Sequence, residues 1–244
     1  HGHFYNWYDT QKLQPLHPRY ISTVDSGNLA GHLLTLRQGI LSLPEQKVLD
    51  IKLLAGIRTT LRVLADVVDK PDFAALRPFK TAVDEAYHSK PETFEAFKIC
   101  LEGLEKSYND INLQKAGEGS EAAWWKEALI REINAALQEV KLLAPWAFTV
   151  RAPAKFAGLS EIIGIPTLLE SAKLTDLLAG YIEEFKSSVN NAEEENWLTA
   201  FTASVSDAEK QAASRLSALE SLAEAIEELS MMELDFLYDK DKDL

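Results

Sequence analysis

Disulfides, membrane spans and concentrated positive charge are all missing from this sequence. A single cysteine, Cys100, excludes any internal disulfide and fits a reducing compartment. No run approaches the roughly 18 consecutive apolar residues that a spanning helix needs, so no direct membrane span is expected in this piece. The charged, apolar and small-residue succession of a signal peptide is absent too. Basic residues are outnumbered, 25 against 38 acidic, for a formal net charge of −13. Phosphate contacts need a concentrated basic face, so no nucleic acid partner is expected, while neutral ligands such as sugars stay open. Eleven glycines and nine prolines leave little room for a repetitive or disordered chain.

Catalytic signatures are equally scarce. There is no glycine-rich phosphate loop, no HExxH and no GxSxG. His1 and His3 lack the further ligands of a metal site. Asp239, Asp241 and Asp243 alternate like a calcium loop, but without its glycine at the sixth place or its glutamate at the twelfth, and read as a solvated charge run. Cys100 has no histidine nearby in sequence and reads as a small core or boundary residue. The expectation is no cofactor and no metal.

What the chain has is helical period. From Pro91, the residues Phe94, Phe97, Leu101, Leu104, Tyr108 and Ile111 recur at steps of three and four, which keeps one helix face apolar. Pro91 suits a first helical turn. Trp125, Leu129, Ile133, Ala136, Val140 and Leu143 repeat the pattern, with Ser120 as N-cap and Pro145 as stop. The pair Trp124 and Trp125 reads as packing anchors. A long helix over 192–231 carries Trp197, Phe201, Val205, Ala208, Ala212, Leu216, Leu219, Ala223 and Ile226, and Glu193 to Glu195 complement its dipole. Its near-continuous heptad character also suits a protruding hairpin.

Earlier helices are expected over 26–43, 44–69 and 72–89, with Pro78 either kinking the third or marking its true start. A shorter one is expected over 175–188. Three prolines and two glycines punctuate 145–166, which reads as loop. No β-alternation persists. The fold class is all-α, with antiparallel helical hairpins packed as a bundle or as part of an (α/α)6 toroid.

The segment with the most chemistry is the first. Residues 3–10 concentrate four aromatics with Asn6 and Asp9. Aromatic faces stack on sugar rings while Asn and Asp bind hydroxyls in pairs, so Tyr5, Asn6, Trp7, Tyr8 and Asp9 suit a carbohydrate cleft. A terminal segment packed on the core, with Trp7 and Tyr8 as anchors, explains the same composition. Downstream, Ser22, Asp25 and Ser26 offer capping oxygens ahead of Leu29, Leu33, Leu36 and Ile40. Asp25 reads as a helix cap, a ligand-hydroxyl acceptor, or both. Gly27 and Gly31 would admit close approach of a backbone or a ligand.

The stretch GHFYNWYDTQKLQPLHPRYISTVDSGNLAGHLLTL, residues 2–36, resembles the opening of the transglycosylase (cyclisation) domain of bacterial cyclic β-1,2-glucan synthases. The phrase Trp125 to Trp146, ending Leu-Leu-Ala-Pro-Trp, and the phrase Met232 to Asp239 sit where that family has similar wording. The resemblance is specific at these places, and the middle helices are generic.

It implies an (α/α)6 toroid related to glycoamylase-like domains, acting on linear β-1,2-glucan, with Tyr5, Asn6, Trp7, Tyr8, Asp9 and Asp25 among its N-terminal, cleft-lining motifs. Cyclisation of a β-linked chain into a β-linked ring retains configuration, which normally takes two carboxylates about 5 Å apart. The resemblance places both after Leu244. The expectation is therefore that residues 1–244 are the N-terminal part of one domain, partnered by its remaining half, at the cytoplasmic face of a larger inner-membrane protein. His1 in place of Met, and an extended segment from Met232, make both ends read as cuts. A hydrolase or phosphorylase of similar toroidal fold, or a non-enzymatic helical interaction module, are the alternatives.

Overall fold

A computed structural model describes residues 2–233 apart from 114–116, 118 and 150, with Lys70 and Pro71 described in backbone alone. Among the described residues the chain is all-α: it forms ten α-helices, joined by short 3-10 turns, and no strand. Two isolated bridges, Tyr8 with Pro15 and Lys47 with Thr167, are the only β-type pairings there. The chain divides into a larger unit, Gln46–Ala213, and a smaller one made of the residues up to Glu45 and those from Ser214 on.

In the larger unit, α2 (Ile51–Val67), α4 (Arg77–Ser89), α5 (Phe94–Asn109) and α6 (Glu121–Leu143) pack on one another. The apolar stripes expected for α5 and α6 lie in the core, except Tyr108 and Trp125, which are half-buried. Phe94, Phe97, Leu101, Leu104 and Ile111 are buried, as are Leu129, Ile133, Ala136, Val140 and Leu143. Each fully buried side chain of this size contributes roughly 1.5–3 kcal/mol. Thr60 donates to Glu132 at 2.7 Å between α2 and α6, so the buried hydroxyl has its partner. Beyond α6, Trp146 and Phe201 meet at 6.0 Å, and Trp197 stacks between Phe201 and Phe156 at 5.1 and 5.3 Å.

The starts of α2 and α5 differ from expectation for one reason: each begins where a side-chain oxygen takes an orphan N–H. Pro44 lies in a 3-10 turn, Leu43–Glu45, and α2 starts later, where Asp50 accepts from Lys52 N. Pro91 lies outside α5, whose cap is Thr93, accepting from Ala96 N at 3.2 Å. Ser120 caps α6 as expected. Pro78 does mark a true start, dividing α3 (Lys70–Ala75) from α4. The proline-rich stretch after α6 contains two 3-10 turns and the short α7 (Leu159–Ile163). Then come α8 (Leu168–Ser171), held by a Thr167–Glu170 capping box, α9 (Leu174–Ser188) and α10 (Ala192–Ser230).

The two adjacent tryptophans are not equivalent anchors. Trp124 is 53% exposed and meets Trp125 edge-on at 4.6 Å, with the Arg131 guanidinium 5.6 Å from its ring. Neighbouring helical residues point about 100° apart, so only one of the two can face the core fully. Glu194, beyond complementing the helix dipole, ion-pairs with Lys155 and accepts from Asn190 N at 2.9 Å.

In the smaller unit, α1 (Thr23–Ser42) and the later part of α10 share a thin core of Ile40, Ala223 and Ile226, with Leu33 and Leu219 against it. Arg37 and Glu227 form a 2.9 Å ion pair. The expected stripe of α1 is only partly covered, because Leu36 is exposed, as are Val24, Leu34 and Leu41. Gly27 and Gly31 face open space, with no backbone close to either. Gly2 is the glycine that matters: its φ is +74°, and a Cβ there would sit 2.6 Å from the Met231 carbonyl oxygen. No helix among the described residues is long and apolar enough to cross a membrane. Of the segment expected to extend from Met232, residues 234–239 lie outside the described residues, as do Asp241 and Asp243.

Candidate functional site

The N-terminal segment of the smaller unit folds back on itself. Leu16 N donates to the Trp7 carbonyl at 3.0 Å and Asp9 N to that of Gln14 at 2.9 Å. At the turn, Oδ1 of Asp9 accepts from Gln11 N at 2.9 Å and Lys12 N at 2.6 Å, an aspartate turn that replaces missing backbone partners. Leu13 takes a left-handed φ of 53° within it. Asp9 therefore shapes the loop with one of its carboxylate oxygens.

Asn6 ties the loop to α1. Its N–H donates to Tyr20 O at 2.9 Å, its Oδ1 accepts from Ser22 N at 2.8 Å, and its Nδ2 donates to Asp25 Oδ2 at 3.2 Å. Ser22 is the N-cap, its hydroxyl accepting from Asp25 N at 3.2 Å. Of the readings open for Asp25, the cap is excluded. Asp25 lies in the first turn, where a carboxylate complements the helix dipole, and its side chain is turned toward Asn6.

The aromatics form two pairs. Trp7 stacks on Tyr20 with centroids 6.0 Å apart and planes 25° apart, and both remain about half exposed, at 52% and 53%. Tyr5 meets Tyr8 at 6.5 Å, Tyr5 N donates to the Tyr8 hydroxyl at 3.0 Å, and the Arg19 guanidinium lies 5.8 Å from the Tyr5 ring. The segment is not fully buried: Phe4, Trp7 and Tyr8 are exposed. Tyr20 and Arg19 belong to the site and were not singled out from sequence. The periodicity of α1 starts after them, and only the stacking shows their place.

Chemically, the site offers an exposed aromatic surface beside a carboxylate and an amide. That set suits a neutral polyhydroxylated ligand. His3 does not stand free for a metal: its Nε2 is 2.7 Å from the Glu233 carbonyl. Among the described residues no group of three or more His, Cys, Asp or Glu side chains is arranged to hold a metal ion.

The larger unit has its own cleft of about 750 Å³, lined in part by Lys47, Glu92, Glu161, Glu170, Leu177 and Tyr181. Glu170 is committed there to the α8 capping box. Hydrogen bonds from the Thr167 N–H and hydroxyl hold its carboxyl below the ordinary glutamate value, and Lys47 adds to the effect.

No family model matches the chain. Among curated proteins it is similar to the cyclic beta-(1,2)-glucan synthase NdvB of Rhizobium meliloti (strain 1021), with 37% identity over 87 residues. The matched stretch is 34% of this chain and 3% of that synthase, so the likeness covers a small part of the relative's length.

Proposed function

We propose that this chain is a helical piece of a carbohydrate-acting protein of the cyclic β-1,2-glucan synthase kind, and that its N-terminal segment contacts the glucan. The observation that carries the reading is the half-exposed Trp7–Tyr20 stack beside the Asn6–Asp25 pair, in a chain partly similar to such a synthase. The aromatic surface packs against the apolar face of a glucose ring, and Asp25 accepts from ring hydroxyls. Tyr5, Tyr8 and Asp9 hold the loop that presents them.

The role is contact and scaffold. A retaining transglycosylation needs an acid/base carboxyl and a nucleophilic carboxylate about 5 Å apart in one cleft. Asp9 is bound to its own turn and Asp25 to Asn6, which fits them for positioning. The helices then form part of an (α/α)6 toroid, and the uncovered Val24, Leu34, Leu36 and Leu41 of α1 face the rest of that domain. The protein carrying it works at the cytoplasmic face of the inner membrane.

The test is a titration of the intact chain with linear β-1,2-gluco-oligosaccharides, read by tryptophan fluorescence and by NMR of the Trp7 indole. Saturable binding that Trp7→Ala removes, with no response to a β-1,4-linked control, is expected. Absence of any saturable response overturns the reading.

A further inference from the structure

Acidic residues outnumber basic ones over the chain as a whole, yet one pocket of the larger unit reverses the sign. Arg58, Leu61, Arg62 and Ala65 lie three, four and seven residues apart on α2, so they share one face. With Phe73 of α3 and Lys80 and Asp84 of α4 they line a pocket of about 290 Å³. Three cations thus meet one carboxylate in a chain whose net charge is −13. From this juxtaposition we propose that the pocket between α2, α3 and α4 binds a small phosphate-bearing ligand, held by Arg62 and Lys80.

The single carboxylate is already engaged. Asp84 Oδ1 lies 2.8 Å from Arg58 Nε, and its Oδ2 lies 3.0 Å from Lys80 Nζ. Arg58 is further fixed by the Tyr87 ring, 5.1 Å from its guanidinium carbon. The hydrogen bond from Lys80, aided by Arg58, holds the Asp84 carboxyl below its ordinary value, so it stays ionised and keeps both cations in place.

Arg62 is left over. It has no hydrogen-bond or ion-pair partner among the described residues, and Asp66, one turn further along α2, is not bridged to it. A guanidinium fork matches two phosphate oxygens at once, and an ammonium beside it supplies a further donor. Leu61, Ala65 and the 41% exposed Phe73 give the pocket an apolar wall against which the rest of the ligand rests. The overall negative charge does not forbid this. At about 0.1 M salt, charges more than roughly 10 Å away are screened, so a compact anion responds to the local set while an extended polyanion is repelled.

The probes are inorganic phosphate and inorganic pyrophosphate, titrated into the whole chain at low ionic strength and followed by ¹H–¹⁵N NMR. Saturable shifts confined to 58–65, 73 and 80–87 are expected, with pyrophosphate the tighter. Arg62→Gln should weaken binding by about tenfold or more. Arg62→Lys should keep part of it. Arg131→Gln on α6, where Arg131 pairs with Glu127, should leave it unchanged. Arg62 is exposed, so its variants fold, and their melting curves check this. The proposal is overturned if neither probe gives saturable shifts by about 10 mM, weaker than any binding of use. Equal weakening in Arg62→Gln and Arg131→Gln overturns it as well, since that is screening of the whole surface. It stands apart from the glucan reading, and neither result decides the other.

Discussion

The side-chain amide of Asn6 donates to a carboxylate oxygen of Asp25 at 3.2 Å, fastening the aromatic loop to the first turn of α1. The same amide accepts from Ser22 N in a partly buried position. Asn6→Ala leaves that N–H without its partner and should cost about 1–3 kcal/mol. Asp25→Ala removes only an exposed bond and should change stability by about 0.5 kcal/mol or less. Ser22→Ala removes the N-cap and should cost about 0.5–2 kcal/mol. Calorimetric melting of the three variants tests this order, and an Asp25→Ala loss as large as that of Ser22→Ala would contradict it.

Trp7 and Tyr20 give a different split. Both are half exposed, so replacing either with alanine should cost stability far less than emptying the core, where Phe79→Ala should cost about 3–5 kcal/mol. On the proposed glucan reading, the same two replacements should lower the affinity for linear β-1,2-gluco-oligosaccharides by about tenfold, or about 1.4 kcal/mol. If Trp7→Ala and Tyr20→Ala both bind the oligosaccharides as the natural chain does, the segment is packing and nothing more.

Acid should weaken α8 through Glu170. Its folded value is depressed below the ordinary 4.5 by the Thr167 hydrogen bonds first. A depressed carboxylate stabilises the fold above its unfolded value and loses that contribution as pH falls through the lower, folded one. The melting temperature of the natural protein should therefore fall more steeply below about pH 4.5 than that of Glu170→Gln. Parallel curves from pH 7 to pH 3 would remove Glu170 from the account.

Gly2→Ala tests the N-terminal tether. The added carbon meets the Met231 carbonyl oxygen at 2.6 Å in a left-handed backbone, so Gly2 and His3 must move off. Amide exchange over residues 3–8 should accelerate, with helix content unchanged. Unaltered exchange would mean the contact holds nothing.

The stripes of α5, α6 and α10 were legible because their apolar residues recur at helical steps, and each unit buries the part of that face that lies in it. Starts such as Thr93 and Asp50 were not, because a nearby proline and a capping oxygen compete, and only the bonded oxygen decides. At the candidate site the aromatic identity of Trp7 and the polar identity of Asn6 and Asp25 were visible. Tyr20 as the partner of Trp7 was not, since their meeting depends on a turn built by Asp9. Periodicity reports which face is apolar, but not whether it is covered. Leu36 has the right spacing on α1 and stays exposed all the same.

The 39 residues of α10 are one uninterrupted helix, although those up to Ala213 belong to the larger unit and those from Ser214 on to the smaller. Starting a helix is the costly step, with a nucleation factor of about 0.001, whereas each further residue adds a bond for little. The smaller unit, with Ile40, Ala223 and Ile226 at its centre among the described residues, thus has a second helix that continues one begun at Ala192. A break at Ser214 would leave the residues from there to Ser230 to begin a helix unaided, at the nucleation cost that continuity from Ala192 avoids.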